Sequence, residues 1–374
     1  MSKPPRRARV VVAGLGDSGL LTAIHLCRHA DVVGISAKPG LVSGQELGMR
    51  LARPDEWSRD YLIGFDRYRR LDRVRTVHGS IEGVDLIART VTVRGRDGTT
   101  SHEGYDVLVI ATGVRNGFWR QPGLQSTHEV ETDLRRAHDR LAAARSVSVI
   151  GGGAAAVGTA ANLATTWPDK QVDLYHPGER ALPQHHRRVW SQVEERLRSS
   201  GVTVHPGHRA VVPDGFDCDE ITDAPVAWST GQPPTYADAV VWAIGRVHPN
   251  TGWLPADLLD DDGFVRADLD LRVPGQTGVF TIGDVAATDP LRSTARNRAD
   301  RLLAHNIRAD LAGKPLRDYR PPKRRWGSVL GFQPNGLEVF TATGRAFRFP
   351  AWSIRSVLQP GIVRWGIYRG VRRS

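Results

Sequence analysis

The chain has 374 residues, 40% of them apolar and 24% charged, enough for two or three domains with cores of their own and too hydrophobic for wholesale disorder. Its 39 glycines are scattered rather than periodic, which excludes a collagen-like chain, and no run of about 18 apolar residues offers a membrane-spanning helix. The formal charge of +11 suggests nucleic acid until it is located: residues 1–9 carry +4, residues 321–374 carry +9 (ten basic side chains against Glu338), and the stretch between sums to −2, so no nucleic-acid partner is expected.

The basic start MSKPPRRAR is followed by no apolar signal core, and Cys27 and Cys218 lie far apart without a Cys-x-x-Cys spacing; a cytoplasmic, reducing compartment is the expectation. Residues 10–13 read as a buried strand. They run into the spacing Gly14-x-Gly16-x-x-Gly19, a helical pattern through Leu20, Ile24 and Cys27, and a second strand at 31–36. This is a βαβ start, the context in which such glycines turn the chain tightly and let helix N-terminal amides approach a pyrophosphate. Residues 37–73 are of mixed polarity. Two β-rich runs follow at 74–81 and 90–94, then a buried strand within 105–113 that ends on Ala111, Thr112 and Gly113.

The pattern then restarts. A helix over about 127–144 leads to a strand at 147–150 and the spacing Gly151-x-Gly153-x-x-Ala156, where alanine is tolerated in third place. A small-residue helix reaches about residue 166. A strand at 171–175, a helix at 186–199 and a strand at 202–205 come next. Residues 239–246 form a buried strand ending near Gly245, residues 278–284 a strand closed by Gly283-Asp284, and residues 291–311 a long helix.

One such glycine motif is weak evidence. Two, each between a buried strand and a helix and about 135 residues apart, imply two dinucleotide sites in one chain. The economical reason for two is electron traffic between a nicotinamide and a flavin, because side chains alone have no hydride chemistry. On GLGDSG, YDVLVIATG, SVIGGGAAAVGTAANL, VVWAIGRVHPN and TGVFTIGDVA, the chain resembles the FAD/NAD(P)-dependent pyridine nucleotide oxidoreductases. The branch it resembles holds the type II NADH dehydrogenases and the apoptosis-inducing-factor-like ferroptosis suppressor. The resemblance implies an α/β fold with two Rossmann-like domains: an FAD domain at 1–120 and 240–320, an inserted NAD(P) domain at 121–239, and a small α+β appendage at 321–374. It makes Asp284 the aspartate for the ribityl hydroxyls of FAD, with Gly283 giving the backbone access. Ala111-Thr112-Gly113 and Gly245 become the crossings between domains, and a quinone becomes the implied acceptor.

Three departures from that pattern stand out. The acid expected at the end of the second strand is Ser36, with Lys38 the candidate compensating contact to FAD. The two glutamates usual after the second glycine motif are Gly158 and Asn162. The second unit also ends its strand without an acid, at His176, with Arg180 close behind, which leans towards NADPH or use of both NADH and NADPH.

His185-His186 lacks the partners of a metal site, so no metal is expected. His248 is a candidate proton donor, and no catalytic residue is assigned. The C-terminal segment, with Trp326, Phe332, Phe340, Phe347, Phe349, Trp352, Trp365 and Tyr368 among its arginines, has two compatible readings: an interfacial surface for an anionic membrane, or a hairpin and helix completing the flavin domain. The leading expectation is an NAD(P)H oxidoreductase passing electrons through FAD to a quinone-like acceptor at a membrane surface. A soluble reductase for a ferredoxin-like partner and a nucleotide-binding regulator that has lost turnover are the alternatives.

Overall fold

The computed structural model describes residues 6–44, 46–115, 121–245, 247–292 and 298–372. In chain order, β1 (Arg9–Ala13), α1 (Asp17–Leu26) and β2 (Asp31–Ser36) form the first βαβ start. Then come β3 (Gly40–Val42), α2 (Leu47–Ala52), α3 (Pro54–Tyr61) and β4 (Leu62–Gly64), followed by β5 (Val74–Asp85), β6 (Thr90–Gly95), β7 (Thr100–Gly104), β8 (Val107–Ile110) and the short β9 (Val114–Arg115). The second unit runs α4 (Thr127–Ala143), β10 (Ser146–Ile150), α5 (Ala154–Thr166), β11 (Gln171–Tyr175), α6 (Arg187–Ser199), β12 (Val202–His205) and β13 (Ala239–Trp242). Beyond it lie β14 (His248–Pro249), β15 (Val279–Thr281), α7 (Ala299–Leu311), β16 (Phe332–Gln333), β17 (Gly336–Phe340), β18 (Ala346–Phe349) and a wide-wound terminal helix, Ile354–Ile367.

Two sheets organise these elements. The larger has the order β15-β8-β1-β2-β5-β6-β7, parallel from β15 to β5 and antiparallel beyond. The smaller, β12-β11-β10-β13, is parallel throughout. Central strands of parallel sheets are covered on both faces, which is why β1 and β8 read as near-unbroken apolar runs and why β10 is buried from Val147 to Ile150 although Ser148 interrupts it. The chain leaves the first sheet after β8 and returns after β13, and the two passages are zipped together. β9 pairs with β14, the Thr112 hydroxyl donates to the Asn250 carbonyl at 2.8 Å, and the Asn250 amide donates to the Thr112 carbonyl at 2.9 Å.

Two expectations change, and two stretches left open take definite form. Because β13 is hydrogen-bonded to β10, the second unit extends to Trp242, and the return begins at Ala243 rather than at 240. The helix expected over 291–311 begins at Ala299; Arg298 is left-handed (φ 56°), a conformation an L-residue helix cannot run through, Pro290 and Leu291 form a turn closed by the Arg292 amide on the Asp289 carbonyl, and 293–297 lie outside the described residues. The mixed stretch 37–73 holds two helices, of which α2 sends Leu47, Leu51 and Ala52 into the core beneath the second sheet. Finally, 321–372 is built into the body. Val329, Leu330 and Phe340 enter the core of the second sheet, while Tyr368 and Val371 enter that of the first.

Candidate active site

The first glycine turn joins β1 to α1. Gly14 has φ +103°, and a Cβ there would stand 2.4 Å from the Ala111 carbonyl oxygen; a Cβ on Gly19 would stand 1.9 Å from the Gly14 oxygen. Only glycine permits both the angle and the approach. Gly16 is different: nothing lies within 4 Å of where its Cβ would be, so the mouth of the turn is open at the start of α1, where backbone N–H groups face an incoming anion. Asp17 stands at that same start, where its charge would repel a phosphate. Its carboxylate is instead drawn aside, accepting from the Ser43 hydroxyl at 2.9 Å and the Gly44 amide at 3.1 Å.

The turn opens into a cleft of about 1190 Å³ lined by Gly14, Gly16, Ser36, Lys38, Ala111, Thr112, Gly113, Gly283 and Asp284. The first-unit candidates thus face one space; Gly19 alone lies beneath it, closing the turn. At the end of β2 the Ser36 hydroxyl accepts from the Lys38 amide at 3.1 Å, and the Lys38 ammonium donates to the Gly123 carbonyl. Burial, only partly offset by Asp133, lowers the Lys38 amine from 10.5 to about 8. The fold therefore binds this proton less tightly than the unfolded chain does, and the contribution of this group to stability rises with pH from about 8 towards 10.5. Lys38→Met should flatten that rise, read from urea unfolding of the flavin-free protein at pH 7.5 and 9.5; an unchanged slope would show that the amine is not desolvated.

At the second turn Gly151 has φ +143°, and a Cβ would stand 2.2 Å from the Ala243 oxygen; Gly153 is open like Gly16, and Ala156 is fully buried. His176 is buried at the end of β11 beside Gly152, with its ring edge-on to Trp190 at 5.4 Å, and burial lowers its pKa below 6.5, so it is neutral at pH 7. The Arg180 guanidinium donates to the carbonyls of Leu182, Pro183 and His185. None of Gly151, Gly153, Ala156, His176, Arg180 and Gly245 lines the large cleft; Gly245 is exposed at the return passage. The link between the two turns is α5, whose Ala154, Ala155, Gly158 and Asn162 do line it.

At α5 the two departures acquire a physical reason. Gly158 lets two backbones come close: a Cβ on it would stand 2.8 Å from the Val329 oxygen, and a Cβ on Gly48 would stand 2.2 Å from the Gly158 oxygen. Asn162, 1% exposed, donates to the Gly158 carbonyl at 2.8 Å and the Leu330 carbonyl at 2.9 Å while accepting from Arg53 at 2.9 Å. Arg53 also donates to the Phe332 carbonyl at 2.8 Å. Helices α2 and α5 and the segment 328–332 are thereby locked together, and a carboxylate at 162 could not donate to two carbonyls.

His248 lines the cleft and faces Asp217 at 3.9 Å. The neighbouring pair resolves structurally, since His186 Nδ1 caps α6 by accepting from the Arg188 amide at 3.3 Å. Among the described residues no group of three His, Cys, Asp or Glu is placed to hold a metal, and no helix is long and apolar enough to cross a membrane.

Residues 8–302 match the family model for pyridine nucleotide-disulphide oxidoreductases. The chain belongs to that family. Among relatives, it is 24% identical over 332 residues to ferroptosis suppressor protein 1 of Xenopus tropicalis, covering 84% of this chain and 83% of that one. It is 26% identical over 364 residues to the type II NADH:quinone oxidoreductase of Mycobacterium tuberculosis, covering 86% and 76%. In fold it resembles the water-forming NADH oxidase of Lactobacillus brevis bound to NADH, with a TM-score of 0.65, 18% identity, and coverage of 94% of this chain and 77% of that one.

As a pyridine nucleotide-disulphide oxidoreductase it is an FAD-containing, NAD(P)H-dependent enzyme of mixed α/β fold. The geometry fits both cofactors: two open glycine mouths, at Gly16 and Gly153, each lie between a parallel strand and a helix, and one of them opens into a cleft large enough for a dinucleotide. The family's name includes a disulphide, yet Cys27 and Cys218 are buried in separate cores and are not bonded to each other. What the sequence reading missed are the walls contributed by 43–44, 46–50 and 325–332, including Glu46, Arg50 and Arg325. Their one signal was a glycine-punctuated mixture of polar and apolar residues without period.

Proposed function

We propose that this enzyme passes reducing equivalents from NAD(P)H through FAD to a quinone-like acceptor drawn from a membrane surface. One observation carries the reading. Leu337 and Val339 on β17 and Leu358, Ile362, Val363 and Ile367 of the terminal helix form an apolar wall of the same cleft that holds Gly14 and Asp284. That wall is continuous with the outside: Ile362 and Ile367 are 45% and 41% exposed, beside Trp365 at 57% and Trp352 at 73%. An acceptor dissolved in lipid can enter along such a face, and the exposed Arg355 and Arg369 sit where anionic headgroups would meet it.

In this reading Gly14, Gly16 and Gly19 receive the FAD pyrophosphate, Ser36 and Lys38 its adenosine end, and Ala111, Thr112, Gly113, Gly283 and Asp284 its ribityl and ring portion. Gly151, Gly153 and Ala156 receive the NAD(P)H pyrophosphate, with His176 and Arg180 at its ribose and Gly245 at the return passage. The flavin domain is then 1–120 with 243–320, the nicotinamide domain lies between, and 321–374 closes the site. When bound, FAD supplies the centre that accepts hydride and releases electrons. The chain contributes binding, orientation and exclusion of water. With no acid at the end of β11 to repel a 2′-phosphate, both NADH and NADPH serve.

The test is anaerobic. NADH or NADPH should bleach the flavin of the purified enzyme, and a short-chain benzoquinone should restore its colour, faster when anionic vesicles are present. Colour restored by a ferredoxin and not by the quinone would overturn the acceptor, and a flavin that neither nucleotide bleaches would overturn turnover itself.

A further inference from the structure

Phe332, Leu337, Val339, Leu358, Ile362 and Val363 offer hydrocarbon to the cleft, and two neutral polar side chains stand among them: Gln359 of the terminal helix and Tyr61 at the end of α3. Gln359 is 5% exposed, and an amide so far withdrawn from water costs free energy unless it is hydrogen-bonded. It has one protein partner, the Tyr61 phenol oxygen, to which the amide donates. An amide carries two N–H bonds and a phenol its own O–H, so that contact leaves a hydrogen unspent on each side. Neither side chain has another hydrogen-bond partner among the described residues. Burial first, and the charge of Glu46 next, raise the phenol well above its ordinary value of 10, so its O–H is in place at neutral pH.

The two elements that carry this pair are fastened to each other. Glu56 and Asp60 of α3 reach Arg355 and Arg364 of the terminal helix at 3.8 and 3.3 Å. The Tyr61 ring is stacked with Trp57 at 6.0 Å, and the Arg50 guanidinium lies over Trp57 at 4.7 Å, which fixes the phenol from its own side. On the other side the terminal helix is π-wound and carries Pro360, which has no N–H to give to its ladder. Wide turns of that kind recur at functional sites, where they re-aim a side chain; the one beside Pro360 is Gln359.

We propose that Gln359 and Tyr61 anchor one carbonyl oxygen of the acceptor, the amide N–H and the phenol O–H both donating to it while the apolar body lies along the wall. They bind and orient; neither gives up its proton. The assignment deepens the quinone reading above and rests on it.

Tyr61→Phe removes one hydroxyl and keeps the ring on Trp57, and Gln359→Leu removes the amide at similar size. In each flavin-loaded variant, bleaching by NADH and reduction of ferricyanide, which has no carbonyl to anchor, should stay within twofold of the parent. The KM for a short-chain benzoquinone should rise about three- to tenfold, what one neutral hydrogen bond is worth, with kcat within twofold. In the oxidised parent the infrared carbonyl band of bound, isotope-labelled benzoquinone should lie below its position in hexane, and it should move up in both variants. Either variant suffices should the other not fold. A parental KM in both, or a raised KM with an unmoved carbonyl band, overturns the assignment, and so does a loss of bleaching. A parent enzyme that reduces ferricyanide but not the quinone brings down the acceptor reading, and this inference with it.

Discussion

Restoring a glutamate at position 158 should damage the enzyme. Gly158→Glu is expected to lose about 3 kcal/mol or more of folding stability and to shed its flavin. The new Cβ would stand 2.8 Å from the Val329 carbonyl, and its backbone oxygen already lies against Gly48 of α2 at a distance that glycine at 48 alone allows, so α5 has little room to move away. Overpacking of this kind costs about 1–3 kcal/mol, and a carboxylate crowded against the Val329 carbonyl adds repulsion and desolvation. Urea unfolding and the ratio of flavin to protein absorbance would measure it; a variant as stable and as yellow as the parent would refute the close packing. Asn162→Glu should behave alike, because it replaces a buried double donor by an acceptor. The loss of both acids therefore follows from how this chain docks its C-terminal segment, and does not by itself mark decayed catalysis.

This reading depends on long-range contacts, and those are what the sequence did not display. The glycine turns were legible because a strand, a tight turn and a helix lie within twenty residues and each leaves a periodic trace. Gly14, Gly16, Ser36, Gly283 and Asp284 could be nominated from spacing and resemblance, and the cleft gathers them. Helix α2 could not be found in that way. It has only six residues, all buried, so it has no polar face to give a 3.6-residue alternation, and its packing partners lie on α5 more than a hundred residues later. Asn162 looked like a missing acid because its three partners, Gly158, Leu330 and Arg53, come from three separate parts of the chain. The aromatic and basic trace of the C-terminal segment left two readings open. It identified an apolar face and a basic one, but it could not say that part of the apolar face is spent on two cores.

That division of labour predicts two different outcomes for two ways of probing the same segment. A chain ending at residue 320 should not fold into a flavin-binding protein. It loses Val329, Leu330 and Phe340 from one core and Tyr368 and Val371 from the other, all of them buried. At about 1.5–3 kcal/mol for each large side chain, the five amount to roughly 10 kcal/mol, as much as the whole net stability of an ordinary domain. The antiparallel bridge of Val371 to Tyr68, the Arg372–Asp72 ion pair and the Arg196–Glu338 pair go with them. Exchanging Trp352 and Trp365 together for alanine removes mostly exposed surface and the contact of Arg69 with the Trp365 ring, so unfolding should shift by about 1 kcal/mol, far less than the truncation. Binding to vesicles of anionic lipid should nevertheless weaken at least tenfold, and for the parent it should weaken further with added salt. A folded, yellow protein truncated at 320 would show that the segment is an appendage after all. Undiminished vesicle binding by the double variant would move the membrane-facing surface away from the mouth of the cleft, and with it the route proposed for the acceptor.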